Sequence, residues 1–386
     1  MSPAPPRTRR PVGDTIRSLD QIPRGLRLCL YGAGEGGAHF LELLRAMRPD
    51  LAVVRFVDDE RRGERGGVPI GLPSDERALT EGVDLVLITS TWYRAIAGRL
   101  AAGGRTGFRV VDPSLFFLEH VFTPGEQAAA APLAARAESL LARPEDRALY
   151  RAVLANRGQG GQGDGIDPHR LFTEGAPPRA EYLDFIVWER VRRAIDGGAL
   201  DGKNTLEFLG RMPPGGEVWA FEPGGAALLQ GPHAGDFTRQ AGAHLCPVAL
   251  WSSSGSVLFR ADSGNPAGSK VLGGRDAAAG GRTVPAVSID DFTADWGTDT
   301  LDFIKLDVEG AEPDVLAGAR RTLAACRPQL AVCIYHRKEH LYTIPLQLAG
   351  MLPGYVHRIG HYSPSFWDTV WYAIPEELLD GGRDAP

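Results

Sequence analysis

The chain has 386 residues, 43% hydrophobic and 23% charged, the usage of a globular protein of about two domains, and wholesale disorder is excluded. The net charge of −6 provides no global positive field for nucleic acid or anionic lipid, and no run of about 18 apolar residues could span a bilayer. A small-molecule partner in the cytoplasm is the expectation, with neither nucleic acid nor membrane as partner. Cys29, Cys246, Cys326 and Cys333 lack CxxC spacing and read as reduced, buried thiols.

Residues 1–19, opening MSPAPPRTRRPVGD, read as a disordered tail. The stretch LRLCLYGAGEGGAHFLELLRAM is a strand, a glycine turn and a helix. Gly32, Gly34 and Gly37 complete GxGxxG, and Asp58, at the end of strand LAVVRFVDD, stands about twenty residues on, where dinucleotide folds place a ribose-binding carboxylate. Further strands in DLVLITS and FRVVDPSLF complete a short α/β nucleotide-binding domain over 20–122. Residues 123–180 carry an alanine-rich stretch, a proline break at Pro144, a helix PEDRALYRAVLAN and a flexible GQGGQGDG, and are expected to link the domains and cap the substrate.

Residues 181–376 form a second α/β unit, followed by a tail over 377–386. A turn at IDGGALDG, helix NTLEFLGRM, strands EVWAF and HLCPVAL, hairpin SVLFR, strand TLDFIKL, helix EPDVLAGARRTLAA, strand QLAVCIY and helix IPLQLAGML are followed by YVHRIG and TVWYAI with no helix between them. The expected fold class is therefore two Rossmann-like α/β domains. The second is a seven-stranded parallel sheet ending in an antiparallel hairpin, the architecture of class I methyltransferases that use S-adenosylmethionine. The string ERVRRAI before Asp196 is unusually basic for a central parallel strand; either the strand is short or its arginines escape at an edge.

The turn Asp196–Gly202 holds two carboxylates, Asp196 and Asp201. These would repel a pyrophosphate but attract the sulfonium and ammonium of S-adenosylmethionine. Gly197, Gly198 and Gly202 let the backbone approach that ligand, and Ala199, in the same turn, is a further candidate contact. Glu222, followed by Pro223, ends the next strand and suits both ribose hydroxyls.

The strings IDGGALDGKNTLEFL, VWAFEP, VPAVSIDDF, DFIKLDVEGAEPDVLAGARRTL and IYHRKEHLYTIPLQL resemble the FkbM-type S-adenosylmethionine-dependent methyltransferases over about 181–374. The resemblance implies methyl transfer to an oxygen of a small molecule, sugar or natural-product scaffold. It also implies cofactor contacts at Asp196, Gly198, Asp201, Thr205 and Glu222. YGAGEGGAHFLELL and FVDDERRG resemble the short nucleotide-binding module of polysaccharide-biosynthesis enzymes, which implies a nucleotide or nucleotide-sugar ligand there; an empty module kept for homodimerisation or for covering substrate is the alternative.

Asp307 and Glu309 follow strand DFIKL at the carboxyl edge of the sheet, where α/β folds bind ligands. His336, one strand over, is the preferred general base, with His361 as substitute, and Glu312 and Pro313 read as the opening of a helix. Asp307, Glu309, Asp290 and Asp291 could instead converge on Mg2+. His336–His340 also matches the HxxEH zinc pattern, but the first histidine abuts a strand end and no third ligand is apparent. Lys305 is assigned no catalytic role. Two other functions compete: a nucleotide-sugar oxidoreductase or epimerase working from the GxGxxG domain, and a non-catalytic nucleotide-binding sensor.

Overall fold

The computed structural model describes residues 15–90, 92–112, 115–116, 120–157, 180–225, 229–260, 270–272, 281–296, 300–363 and 366–379. The GQGGQGDG stretch and most of both expected tails lie outside them. Packing divides the described residues into two compact units, one within Met1–Glu126 and Ala155–Ile166, the other within Gln127–Leu154 and Asp167–Pro386.

The first unit contains β1 (Thr15–Ile16), β2 (Arg27–Tyr31), α1 (Glu35–Met47), β3 (Ala52–Val57), β4 (Glu64–Arg65), β5 (Val68–Gly71), α2 (Glu76–Thr80), β6 (Leu85–Ile88), α3 (Tyr93–Ala102) and β7 (Phe108–Val111). The strand order is β1-β7-β6-β2-β3-β5-β4, parallel except for the β4–β5 pair. Central β2 buries Leu28, Cys29 and Leu30 completely, as a strand covered on both faces must. The short β1, β4 and β5 carry no clear sequence alternation.

In the second unit, α4 (Pro124–Ser139) and α5 (Pro144–Asn156) precede the main sheet. Residues 127–154, expected within a linker, belong to this unit's packing. Tyr150 of α5 is fully buried, donates to the Leu341 carbonyl at 3.0 Å and meets Trp371 edge to face, while Asp146 pairs with Arg358 at 2.5 Å.

The main sheet comprises β8 (Arg193–Gly197), β9 (Glu217–Phe221), β10 (Ala243–Cys246), β15 (Phe303–Leu306), β16 (Gln329–Cys333), β17 (Tyr355–His361) and β18 (Thr369–Pro375). The order is β10-β9-β8-β15-β16-β18-β17, with β18 antiparallel to both neighbours, the expected class I sheet. Its helices are α6 (Lys203–Arg211), α7 (Ala234–Arg239), α8 (Ile289–Trp296), α9 (Glu312–Ala317), α10 (Arg320–Cys326) and α11 (His340–Met351). The basic string before Asp196 resolves simply. β8 starts only at Arg193, so Arg190 and Arg192 precede it, and Arg193 reaches the Thr300 hydroxyl.

Three expectations need adjustment. HLCPVAL is two strands, because Pro247 cannot extend a ladder. β10 stays in the main sheet, whereas β11 (Ala249–Leu250) joins a second, four-stranded sheet with β12 (Gly255–Arg260), β13 (Lys270–Leu272) and β14 (Arg282–Val287). The helix expected after Glu312 breaks into α9 and α10 at Gly318, where a Cβ would stand 2.5 Å from the Trp251 carbonyl oxygen. All four cysteines are free thiols, but Cys246 and Cys326 are only partly buried.

No helix among the described residues is long and apolar enough to cross a membrane.

Candidate active site

The glycine turn lies between β8 and α6. Gly198 has φ +78°, and a Cβ there would come 1.8 Å from the Asp307 carbonyl oxygen, so only glycine lets the turn close onto the end of β15. Beneath it, parallel register sets Asp196 beside Lys305. Both side chains are fully buried, with Lys305 Nζ 3.0 Å from Asp196 Oδ1, and the Thr205 hydroxyl donates to Asp196 Oδ2 at 2.7 Å. The ammonium also donates to the carbonyls of Gly197 (3.1 Å) and Gly198 (2.7 Å). Burial opposes its charge, but Asp196 and Asp307 hold the Lys305 pKa above the ordinary lysine value. Asp201 accepts from the Lys203 amide at 3.1 Å and lies 3.8 Å from the His233 ring. Neither turn acid lines the adjoining pocket: Asp196, buried, and Thr205 fasten the turn from below, and Asp201, partly exposed, accepts at the start of α6.

A pocket of about 600 Å³, including its open mouth, adjoins the turn. Gly198 and Leu200 line it from the turn, Glu222 and Pro223 from the end of β9, and Asp307 and Glu309 from the end of β15. Its apolar wall is Phe221, Ala249, Leu250, Phe259 and Val271. Glu222 is half-buried and accepts from the backbone N–H of Gly224 at 2.7 Å and of Leu200 at 3.2 Å. Burial raises its pKa against the pull of those two donors. The acids that give the pocket its negative character are thus Glu222, Asp307 and Glu309.

Behind Asp307 lies a charged cluster. The hydroxyls of Tyr182 (2.8 Å) and Tyr335 (3.2 Å) donate to the two Asp307 carboxylate oxygens, and His336 Nε2 stands 3.3 Å from Asp307 and 3.5 Å from Glu309. His336 Nδ1 lies 2.9 Å from Glu312, whose other oxygen is 3.5 Å from His340 Nδ1. Burial alone would lower the His336 pKa, but Glu312, Glu309 and Asp307 together raise it well above the ordinary value. Although burial opposes their charges, the same contacts hold Asp307 and Glu312 far below the carboxylate range. Burial instead raises Glu309. The surrounding carboxylates thus favour the protonated ring, and His336 is not on the pocket lining, where Asp307 and Glu309 stand instead.

Glu312 does open α9, with Pro313 in its first turn. It is also fully buried and accepts from the amides of Val308 and Gly310, so it shapes the loop that carries Glu309. The HxxEH string does not lie on one helical face, since α11 begins only at His340. His361 lies in β17, 2.9 Å from the Thr369 hydroxyl.

The expected magnesium set does not assemble. Asp290 accepts from the amides of Arg321 and Thr322 at the start of α10, and Asp291 accepts from Ser254 and Arg321. Among the described residues, Asp307, Glu312 and His336 bring ligand atoms within 4.8 Å of one another, a set that shares only Asp307 with the expected one. Asp290→Ala should lower stability by about 0.5–2 kcal/mol, the loss of a helix cap, which urea unfolding checks.

Residues 196–358 match the profile of the methyltransferase FkbM domain. The second unit carries an FkbM methyltransferase domain. Over 173 residues the chain is 28% identical to the 2-O-methyltransferase NoeI of Sinorhizobium fredii (strain NBRC 101917 / NGR234), a match covering 41% of this chain and 68% of that protein. The crystal structure of methyltransferase FkbM from Methylobacillus flagellatus KT has the same fold, with a TM-score of 0.62 at 22% identity, covering 91% of this chain and 90% of that one.

The chain is thus a methyltransferase, and its FkbM domain includes the glycine turn, Glu222 and the charged cluster. Sequence reasoning missed Tyr182, Tyr335, Phe259 and Val271. Tyr182 and Tyr335 adjoin flagged segments, but nothing in the spacing directs their hydroxyls to Asp307.

In the first unit, Gly32, Gly34 and Gly37 do form a tight turn, and a Cβ on Gly37 would stand 1.9 Å from the Gly32 carbonyl oxygen. Asp58 reaches this turn, but its carboxylate accepts from the amides of Ala33, Glu60 and Arg61 at 2.7–2.9 Å. Those bonds hold the loop after β3 against the glycine turn.

Proposed function

We propose that the methyltransferase domain moves the methyl group of S-adenosyl-L-methionine to a hydroxyl oxygen of a small molecule or sugar. The observation that carries this reading is Glu222, half-buried in the pocket wall and oriented by two backbone donors. It suits both hydroxyls of a ribose, in a pocket whose lining among the described residues carries no side-chain cation for phosphate. Asp307 and Glu309 give the same pocket a negative end that favours a sulfonium. The name of NoeI, a 2-O-methyltransferase, supports oxygen as the acceptor atom.

Bound there, S-adenosyl-L-methionine would supply an electrophilic methyl carbon for in-line attack by the acceptor oxygen, with the thioether as leaving group. The hydroxyl proton goes to Glu309, which lines the pocket and whose burial makes it a stronger base than an ordinary carboxylate. Asp307, permanently charged, faces the developing reaction without taking up the proton. His336 holds both acids in place. Positioning supplies much of the remaining rate.

Calorimetry tests the reading. Wild-type protein should bind S-adenosyl-L-methionine, and Glu222→Ala should lose about 1.5–3 kcal/mol of that affinity, because a charged acceptor is removed from two hydroxyls. Unchanged affinity would place the ribose elsewhere, and heat with NAD but none with S-adenosyl-L-methionine would reject the proposal.

A further inference from the structure

The sheet formed by β11–β14 is inserted between β10 and β15 of the main sheet. It nevertheless supplies Ala249, Leu250, Phe259 and Val271 to the pocket. The pocket therefore has two chemistries, carboxylates at Asp307 and Glu309 and an apolar surface built largely by the insertion. S-adenosyl-L-methionine divides the same way, into a cationic methionine part and a flat, neutral purine suited to aromatic and aliphatic surfaces.

Arg282, the first residue of β14, is exposed. Its guanidinium carbon lies 5.5 Å from the centroid of Phe259, and Nη2 donates to the Pro223 carbonyl at 3.0 Å. Phe259 and Pro223 both line the pocket. One side chain thus ties the inserted sheet to the turn that begins with Glu222. Arg282 can make both contacts because a planar guanidinium stacks on a ring while its edge donates hydrogen bonds.

We propose that the inserted sheet is the nucleobase wall of the cofactor pocket and that Arg282 is its positioning residue, fixing the spacing between the ribose carboxylate Glu222 and the surface that receives the purine. This rests on the cofactor reading above. The fastening acts on the nucleoside half of the ligand and leaves the methionine end untouched.

The test is calorimetry on the full chain with S-adenosyl-L-methionine and with 5′-methylthioadenosine, which keeps the nucleoside and lacks the amino-acid part. Arg282→Ala should weaken both ligands by the same factor, about three- to tenfold for one lost hydrogen bond, with no change in the thermal midpoint. Arg282→Lys, which still donates to Pro223 but cannot stack flat on Phe259, should recover part of the loss. Affinities within twofold of wild type, or weakening confined to S-adenosyl-L-methionine, would overturn the inference. If wild-type protein binds neither ligand, the cofactor reading fails and this inference fails with it.

Discussion

Replacing Lys305 by Met should lower the unfolding free energy by about 3–5 kcal/mol, the usual result of removing one member of a buried ion pair. Volume is nearly conserved, so packing contributes little. What remains is Asp196, fully buried beside β15 with its countercharge gone, and the carbonyls of Gly197 and Gly198 without their donor. Asp196→Asn in the same background should restore much of the loss, because the uncompensated charge disappears. Urea unfolding of the two single variants and the double variant measures this directly. Additive losses would mean that Asp196 and Lys305 do not interact, and the account of how the glycine turn is held would then fail.

That pair also shows where sequence reasoning stops. The glycine turn is legible from its spacing, and so is the carboxylate at Glu222, because both depend on local order along a strand, a turn and a helix. The charges are not. Asp196 reads as a ligand for a cationic donor until β15 pairs with β8 and sets Lys305 beside it. The negative pocket survives, but Glu222, Asp307 and Glu309 create it.

His336 is misread for the same reason. Its place at the end of β16 is evident from the apolar string QLAVCIY, while its protonation depends on Glu312, which sits across the loop after β15. The N-terminal carboxylate Asp58 does reach the glycine turn that its spacing points to, but its bonds to the amides of Ala33, Glu60 and Arg61 are not readable from the sequence. Phe259 and Val271 are invisible as site residues, since only the folding back of the inserted sheet brings them to the pocket.

The imidazolium of His336 leads to the second large effect. Replacing it with Gln should lower stability at pH 7 by about 3–5 kcal/mol, because Asp307, Glu309 and Glu312 lose their shared cation. Under the proposed function, turnover should fall by about 10²-fold or more as Asp307 and Glu309 lose their placement, while affinity for S-adenosyl-L-methionine changes little. The pH dependence identifies the cause. The raised His336 pKa means that its contribution is complete below the unfolded value of about 6.5 and is lost only as pH passes the elevated folded value. Asp307 and Glu312, held low, contribute above their unfolded values near 4 and lose that contribution as pH falls toward their folded ones. The two signs leave a window from roughly pH 5 to about pH 6.5 in which the cluster stabilises fully, and most of the effect persists at pH 7 because the folded His336 value lies well above it. The stability difference between wild type and His336→Gln should therefore be greatest inside that window and shrink in acid, where the carboxylates protonate and need no cation. Urea midpoints at several pH values read this out. A difference that stays constant into acid would show that the ring is neutral, which would return His336 to the list of candidate bases and remove the reason for assigning the proton to Glu309.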